Sequence, residues 1–150
     1  MLTNINTSRA PHEISNEFRN AAMAARDRIA DYHPDEAFRA AARWVPVYLQ
    51  SHPTTEQAAA GGCVSCVYLG LWSDKWPGYP DAPHGMIWLF EDGIRQARNT
   101  FDGQVYQTLE HELGHALGRD HVLDRLNDLK MRGLDMDGNP SRGDTRYDCG

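Results

Sequence analysis

The chain has 150 residues, 41% hydrophobic and 24% charged, which fits one globular domain with a sizeable core and excludes wholesale disorder. A formal charge of −6 argues against a nucleic-acid partner, since proteins that grip phosphate backbones carry a surplus of lysine and arginine. No apolar run approaches the roughly 20 residues of a membrane helix, so no membrane partner is expected.

The opening stretch, "MLTNINTSRAPHEISNEF", lacks the basic end and apolar block of a secretory signal. The expectation is a cytoplasmic protein, or a component of a virion or other assembly, unless a signal has been removed. Ile14, Phe18, Ala22, Ala25 and Ile29 recur at helical spacing and predict an amphipathic helix from about Pro11 to Asp31, stopped by His33 and Pro34. Pro34 opens a second helix through Ala37, Phe38 and Ala41, and Pro46 closes it.

"VPVYLQ" alternates Val45, Val47 and Leu49 inward, the period of a half-buried strand, and "SHPTTEQAAAGG" reads as a loop. "CVSCVYLGLW" is apolar on both alternations, as in a strand covered on two faces, and is the candidate for the middle of the sheet. "WSDKWPGYPDAPHG" suits a packed surface loop. "MIWLFEDG" reads as a strand ending in a turn at Asp92 and Gly93, after which Asp102 caps a helix over about Gly103 to Leu117.

The order helix, helix, strand, strand, strand, helix predicts an α/β (α+β) fold: a mixed twisted sheet of three to five strands with N-terminal helices. Residues 1–150 form one domain, with 133–150 an irregular tail rich in glycine and aspartate. Cys63, Cys66 and Cys149 are an odd number, so free thiols are the first reading, with Cys63 and Cys66 as buried core cysteines ahead of a redox or metal role.

The chemistry is concentrated in "EHELGHALGRDH", where three of the seven histidines fall within eleven residues. At about 100° per residue, His111 and His115 stand only about 40° apart, one turn above the other. Val105, Leu109, Leu113 and Ala116 form an apolar stripe well around the axis, so one side of the helix can be buried while the other holds a metal. Gly118 can adopt the left-handed conformation that ends a helix, and the reversal lets His121 approach the same ion. Three imidazoles with a fourth position open to water are the pattern of a catalytic zinc site. Glu112 flanks the ion, placed as general base towards a metal-activated water and then as proton donor to a leaving amine.

"HELGHALGRDH" fits H-E-x-x-H-x-x-G-x-x-H and resembles the signature of metzincin-class zinc metalloproteases, the group of matrixins, astacins and snapalysin-like enzymes. The resemblance is concentrated between about Gly85 and His121. It implies Zn2+ as cofactor, His111, His115 and His121 as ligands, Glu112 as general base, and endopeptidase activity on a peptide or protein substrate. It also implies that the substrate lies extended along an edge strand, for which "VYLGLW" and the loop from Trp72 to Gly85 are the candidates. Met131 and Met136 are the candidates for the methionine turn of such enzymes. Val122 follows His121 where matrixins have serine, so no subfamily is assigned.

Two other readings are weighed against it. "GRDH" also resembles the motif of bacterial zinc endoribonucleases of ribosomal RNA maturation, although that family generally has glycine where Glu112 stands. A non-catalytic assembly protein that keeps zinc for stability is the third. "DMDGNPSRGDTR" starts like a calcium loop but has proline where glycine is required, so a polar turn is expected. His84 reads as an exposed loop residue, and Cys149 as a free or tail cysteine, in preference to a thiolate that holds the enzyme latent.

Overall fold

In the computed structural model, which describes residues 4–7 and 13–119, the first long helix begins where Ser15 can cap it. The Ser15 hydroxyl accepts from the Phe18 N–H, and α1 runs Asn16–Tyr32. Phe18, Ala22, Ala25 and Ile29 make its buried stripe, as their spacing predicts. The chain turns at His33 and Pro34, Asp35 accepts from the Ala37 N–H, and α2 spans Glu36–Trp44. Pro34 therefore stands one residue ahead of the cap instead of opening the helix, because Asp35 supplies the side-chain acceptor that a helix start needs.

Four strands form one mixed sheet: β1 (Ile5–Thr7), β2 (Val47–Gln50), β3 (Gly70–Ser73) and β4 (Met86–Phe90), in the order β1-β2-β4-β3. The pairs β1/β2 and β2/β4 are parallel; β3 runs antiparallel to β4, with Gly70 opposite Leu89 and Ser73 opposite Met86. Together with the helices this is an α+β fold. Among the described residues, no helix is long and apolar enough to cross a membrane.

The core has two layers. On one face Val47, Leu49, Ile87 and Leu89 pack with α1, α2 and the last described helix, α5 (Phe101–Ala116). On the other, Leu71, Met86, Trp88 and Phe90 are covered by Tyr68 and by a loop that brings Trp76 and Tyr79 edge-on to Trp88, at 5.7 and 5.6 Å between ring centroids. All five residues of β4 are buried as a result.

The central position expected for "CVSCVYLGLW" is not observed. β4 and β2 are the inner strands, whereas "CVSCVYLGLW" contributes only the edge strand β3. Its two-sided apolar pattern has another cause, since α5 covers one face of that edge and the aromatic loop closes over the other. Cys63 and Cys66 are also not free core thiols: they form a disulfide that closes the turn before β3, both half-buried, with Val64 exposed between them. The expected loop at 51–62 contains α3 (Thr55–Ala60), started by a capping box in which Thr54 and Gln57 satisfy each other's backbone N–H.

Asp92 and Gly93 lie inside α4 (Glu91–Gln96) and not in a turn. A Cβ on Gly93 would stand 2.0 Å from the Tyr68 carbonyl oxygen, so only glycine lets α4 sit this close to the segment leading into β3. Thr100, not Asp102, caps α5 through the Gly103 N–H.

Glu91 ties the start of α1 to α4. Its carboxylate accepts from the Ser15 N–H at 2.9 Å, the Ser15 hydroxyl at 2.6 Å and the Arg95 guanidinium at 2.7 Å. Burial pushes this carboxyl up, but the Ser15 and Arg95 donors more than offset it and hold it below its ordinary value of 4.5. A depressed folded-state pKa contributes stability above the unfolded value, and that contribution disappears as pH falls through the folded one. Glu91→Gln is therefore expected to lower unfolding free energy by roughly 1–3 kcal/mol at neutral pH. In urea titrations at successive pH values, the gap from the parent should narrow as pH falls below the ordinary value of 4.5 and vanish below the depressed folded-state one; a gap of constant size would refute the assignment.

Candidate metal centre

The rotation of α5 about its axis is set by Val105, Leu109 and Leu113, which are fully buried against the sheet and α1. Burying each of these side chains stabilises the seating by about 1.5–3 kcal/mol. His111 and His115 consequently fall on the half-buried side, their rings perpendicular at 89° with centroids 4.8 Å apart. Their Nε2 atoms face each other at 3.2 Å. Two nitrogen ligands of a tetrahedral zinc ion, each at about 2.0–2.1 Å, stand about 3.3 Å from one another. The pair fits a shared cation.

The helix ends as the sequence anticipates. Gly118 has φ +80°, its N–H donates to the His115 carbonyl, and the Arg119 N–H donates to the Gly114 carbonyl at 2.8 Å. These are the two bonds of a Schellman motif, which satisfies carbonyls left over at the helix end. The reversal brings the Arg119 carbonyl to 3.2 Å from His115 Nδ1. A carbonyl can only accept, so the proton sits on Nδ1, and Nε2 presents a lone pair towards His111.

Glu112, about 100° around the helix from His111 and about 60° from His115, projects into the interface between α5 and the edge of the sheet and is 1% exposed. Gly70 of β3 lies directly over it. A Cβ at that position would meet Thr108 Cγ2 at 2.8 Å, and Glu112 Cγ and Oε2 at 3.0 Å. The edge strand and the carboxylate can be this close only because residue 70 has no side chain. The sequence reading missed Gly70; a glycine inside an apolar strand pattern, which often marks close backbone approach, was the available signal.

A polar cluster backs the histidine pair from α2. His33 Nε2 and Glu110 Oε2 are 2.8 Å apart, and the His33 ring stacks on Phe38 at 4.5 Å. The Arg119 guanidinium lies over the Phe38 ring, 4.6 Å from its centroid, and donates to Asp35 Oδ2. The Ala37 N–H, then Arg119, hold the Asp35 carboxyl below the usual carboxylate range. The sequence does not reveal this cluster, since Glu110 and Arg119 lie more than seventy residues from His33, Asp35 and Phe38.

Of the expected zinc ligands, His111 and His115 are brought together, and the expected base Glu112 is on the same helix turn. His121 lies outside the described residues, as do Met131, Met136, Cys149, the 135–146 stretch and the expected tail at 133–150. Among the described residues, no three His, Cys, Asp or Glu side chains are grouped to hold a metal. His84 is exposed, and its backbone carbonyl accepts from Trp72 Nε1 at 2.8 Å.

Compared with models of known protein families, with characterised proteins and with solved structures, the chain matches none.

The tight contact at Gly70 gives a direct test. Gly70→Ala is expected to push β3 and α5 apart and to cost about 1–3 kcal/mol of stability, as overpacking does. Equilibrium denaturation checks the magnitude. A variant as stable as the parent would mean that the neighbours yield freely, and that Gly70 does not hold the strand over Glu112.

Proposed function

We propose that the chain is a zinc-dependent endopeptidase. The observation that carries this reading is the pair of converging Nε2 atoms, 3.2 Å apart, on a helix whose Glu112 carboxylate lies under the edge strand. When bound, a zinc ion supplies Lewis-acid chemistry, lowering the pKa of a water and polarising a scissile carbonyl. His111 and His115 would hold it through Nε2, with His115 fixed in the required tautomer by the Arg119 carbonyl.

Glu112 is the group that moves the proton. One carboxylate oxygen takes it from the attacking water and returns it to the leaving amine. The substrate would lie extended along β3, pairing by backbone hydrogen bonds, with Glu112 beneath Gly70 of that strand. β3 also meets the geometric need for such pairing, being an outer strand with β4 on one side only among the described residues. Thr108 and Gly70, both buried, crowd Glu112 and limit water on the sheet side of the carboxylate.

Glu112→Gln separates metal binding from catalysis. The expected outcome is unchanged zinc content by elemental analysis, and a fall in cleavage of a peptide library by a factor of about 10²–10⁴. Full activity in this variant would remove Glu112 from the mechanism. Zinc bound by the parent with no turnover of any peptide would turn the reading towards a metal kept for stability alone.

A further inference from the structure

We infer that Arg119 is a positioning residue for His115, held in place by Asp35 and Phe38 of the α2 end of the molecule; the inference rests on the zinc reading above. His115 Nδ1 donates to the Arg119 backbone carbonyl, so the direction of Nε2 is only as well fixed as residue 119 itself. That residue follows the left-handed Gly118 and has left the helix. Were that carbonyl free to shift, the imidazole could swing about its Cβ–Cγ bond.

Three contacts prevent this. The Arg119 N–H is bound to the Gly114 carbonyl, its guanidinium is paired with Asp35, and the same planar group lies over the Phe38 ring. The far ends of these contacts are themselves fixed. Asp35 uses its other oxygen, Oδ1, to cap α2 through the Ala37 N–H, and Phe38 is 6% exposed in the main core. The result is a strut from the start of α2 to the Nδ1 side of His115, whose two ends, Asp35 and Arg119, are 84 residues apart in sequence.

The ion pair contributes little to folding, because both side chains are partly exposed, at 54% and 36%. Its value is orientational: a bidentate-capable, flat guanidinium clamped between a carboxylate and a ring sets the carbonyl better than a flexible ammonium would. The structure thus separates two quantities that ordinarily change together, the stability of the fold and the affinity of the site.

The test measures zinc affinity by chelator competition and the visible absorption of the cobalt-substituted protein, in the full chain. Arg119→Ala and Asp35→Asn, the latter keeping a helix-capping side chain, should each weaken zinc binding about tenfold or more and shift the cobalt bands. Arg119→Lys should fall between the parent and Arg119→Ala. Arg43→Ala, which removes an ion pair with Asp31 elsewhere on the surface, should leave both readouts unchanged. Thermal unfolding of the metal-free variants should stay close to that of the parent. Parent-like affinity and bands in both Arg119→Ala and Asp35→Asn would overturn the positioning role while leaving the peptidase reading intact. An equal loss in Arg43→Ala would overturn it as well, and a parent that binds no zinc would overturn both.

Discussion

Helix α5 can turn about its axis only as far as Val105, Leu109 and Leu113 permit, and these three are packed against the sheet and α1 without residual exposure. A helix whose buried stripe is fixed has every other side chain fixed in azimuth as well. The imidazoles of His111 and His115 meet on the more open side for this reason, and Glu112, about 60° from His115, is carried under the sheet edge. The arrangement is a by-product of apolar packing: nothing in the polar groups themselves needs to select it.

The helix end adds a second constraint of a different kind. Two main-chain bonds and a left-handed glycine bring residue 119 back over the last turn, where its carbonyl meets an imidazole. Hydrophobic seating acts on the whole helix, whereas this backbone reversal acts on one ring. α2 is coupled to the same point through Asp35 and Phe38, so the N-terminal helices do more than cover the sheet.

Much of this was legible in the sequence because it depends on periodicity. The stripes of α1 and α5, the spacing of the two histidines and the glycine at 118 are local patterns, and local patterns survive into the fold. The order of strands was harder. "VYLGLW" has the composition of a central strand, yet the sheet places it at the border, since cover on both faces can come from a helix and an aromatic loop as readily as from neighbouring strands. The short elements were missed for a related reason: β1 has three residues, α3 and α4 six each, and no stripe can be read over such lengths. In α3 the signal was present all the same, in Thr54 and Gln57 at capping-box spacing. The closeness of Gly70 to Glu112 and of Arg119 to Asp35 is tertiary, and no spacing along the chain encodes it.

The Cys63–Cys66 bridge bears on how the border strand is presented. A ring that spans three peptide steps removes little freedom from an unfolded chain, so its influence is chiefly on the folded turn that feeds β3. Beyond that turn the strand is brief. Four residues at about 3.3 Å each offer roughly 13 Å of pairing to any extended polypeptide laid beside it. Main-chain bonds over so short a span could set the direction and depth of such a segment but would supply little grip, so any selectivity would have to come from side chains around Trp72.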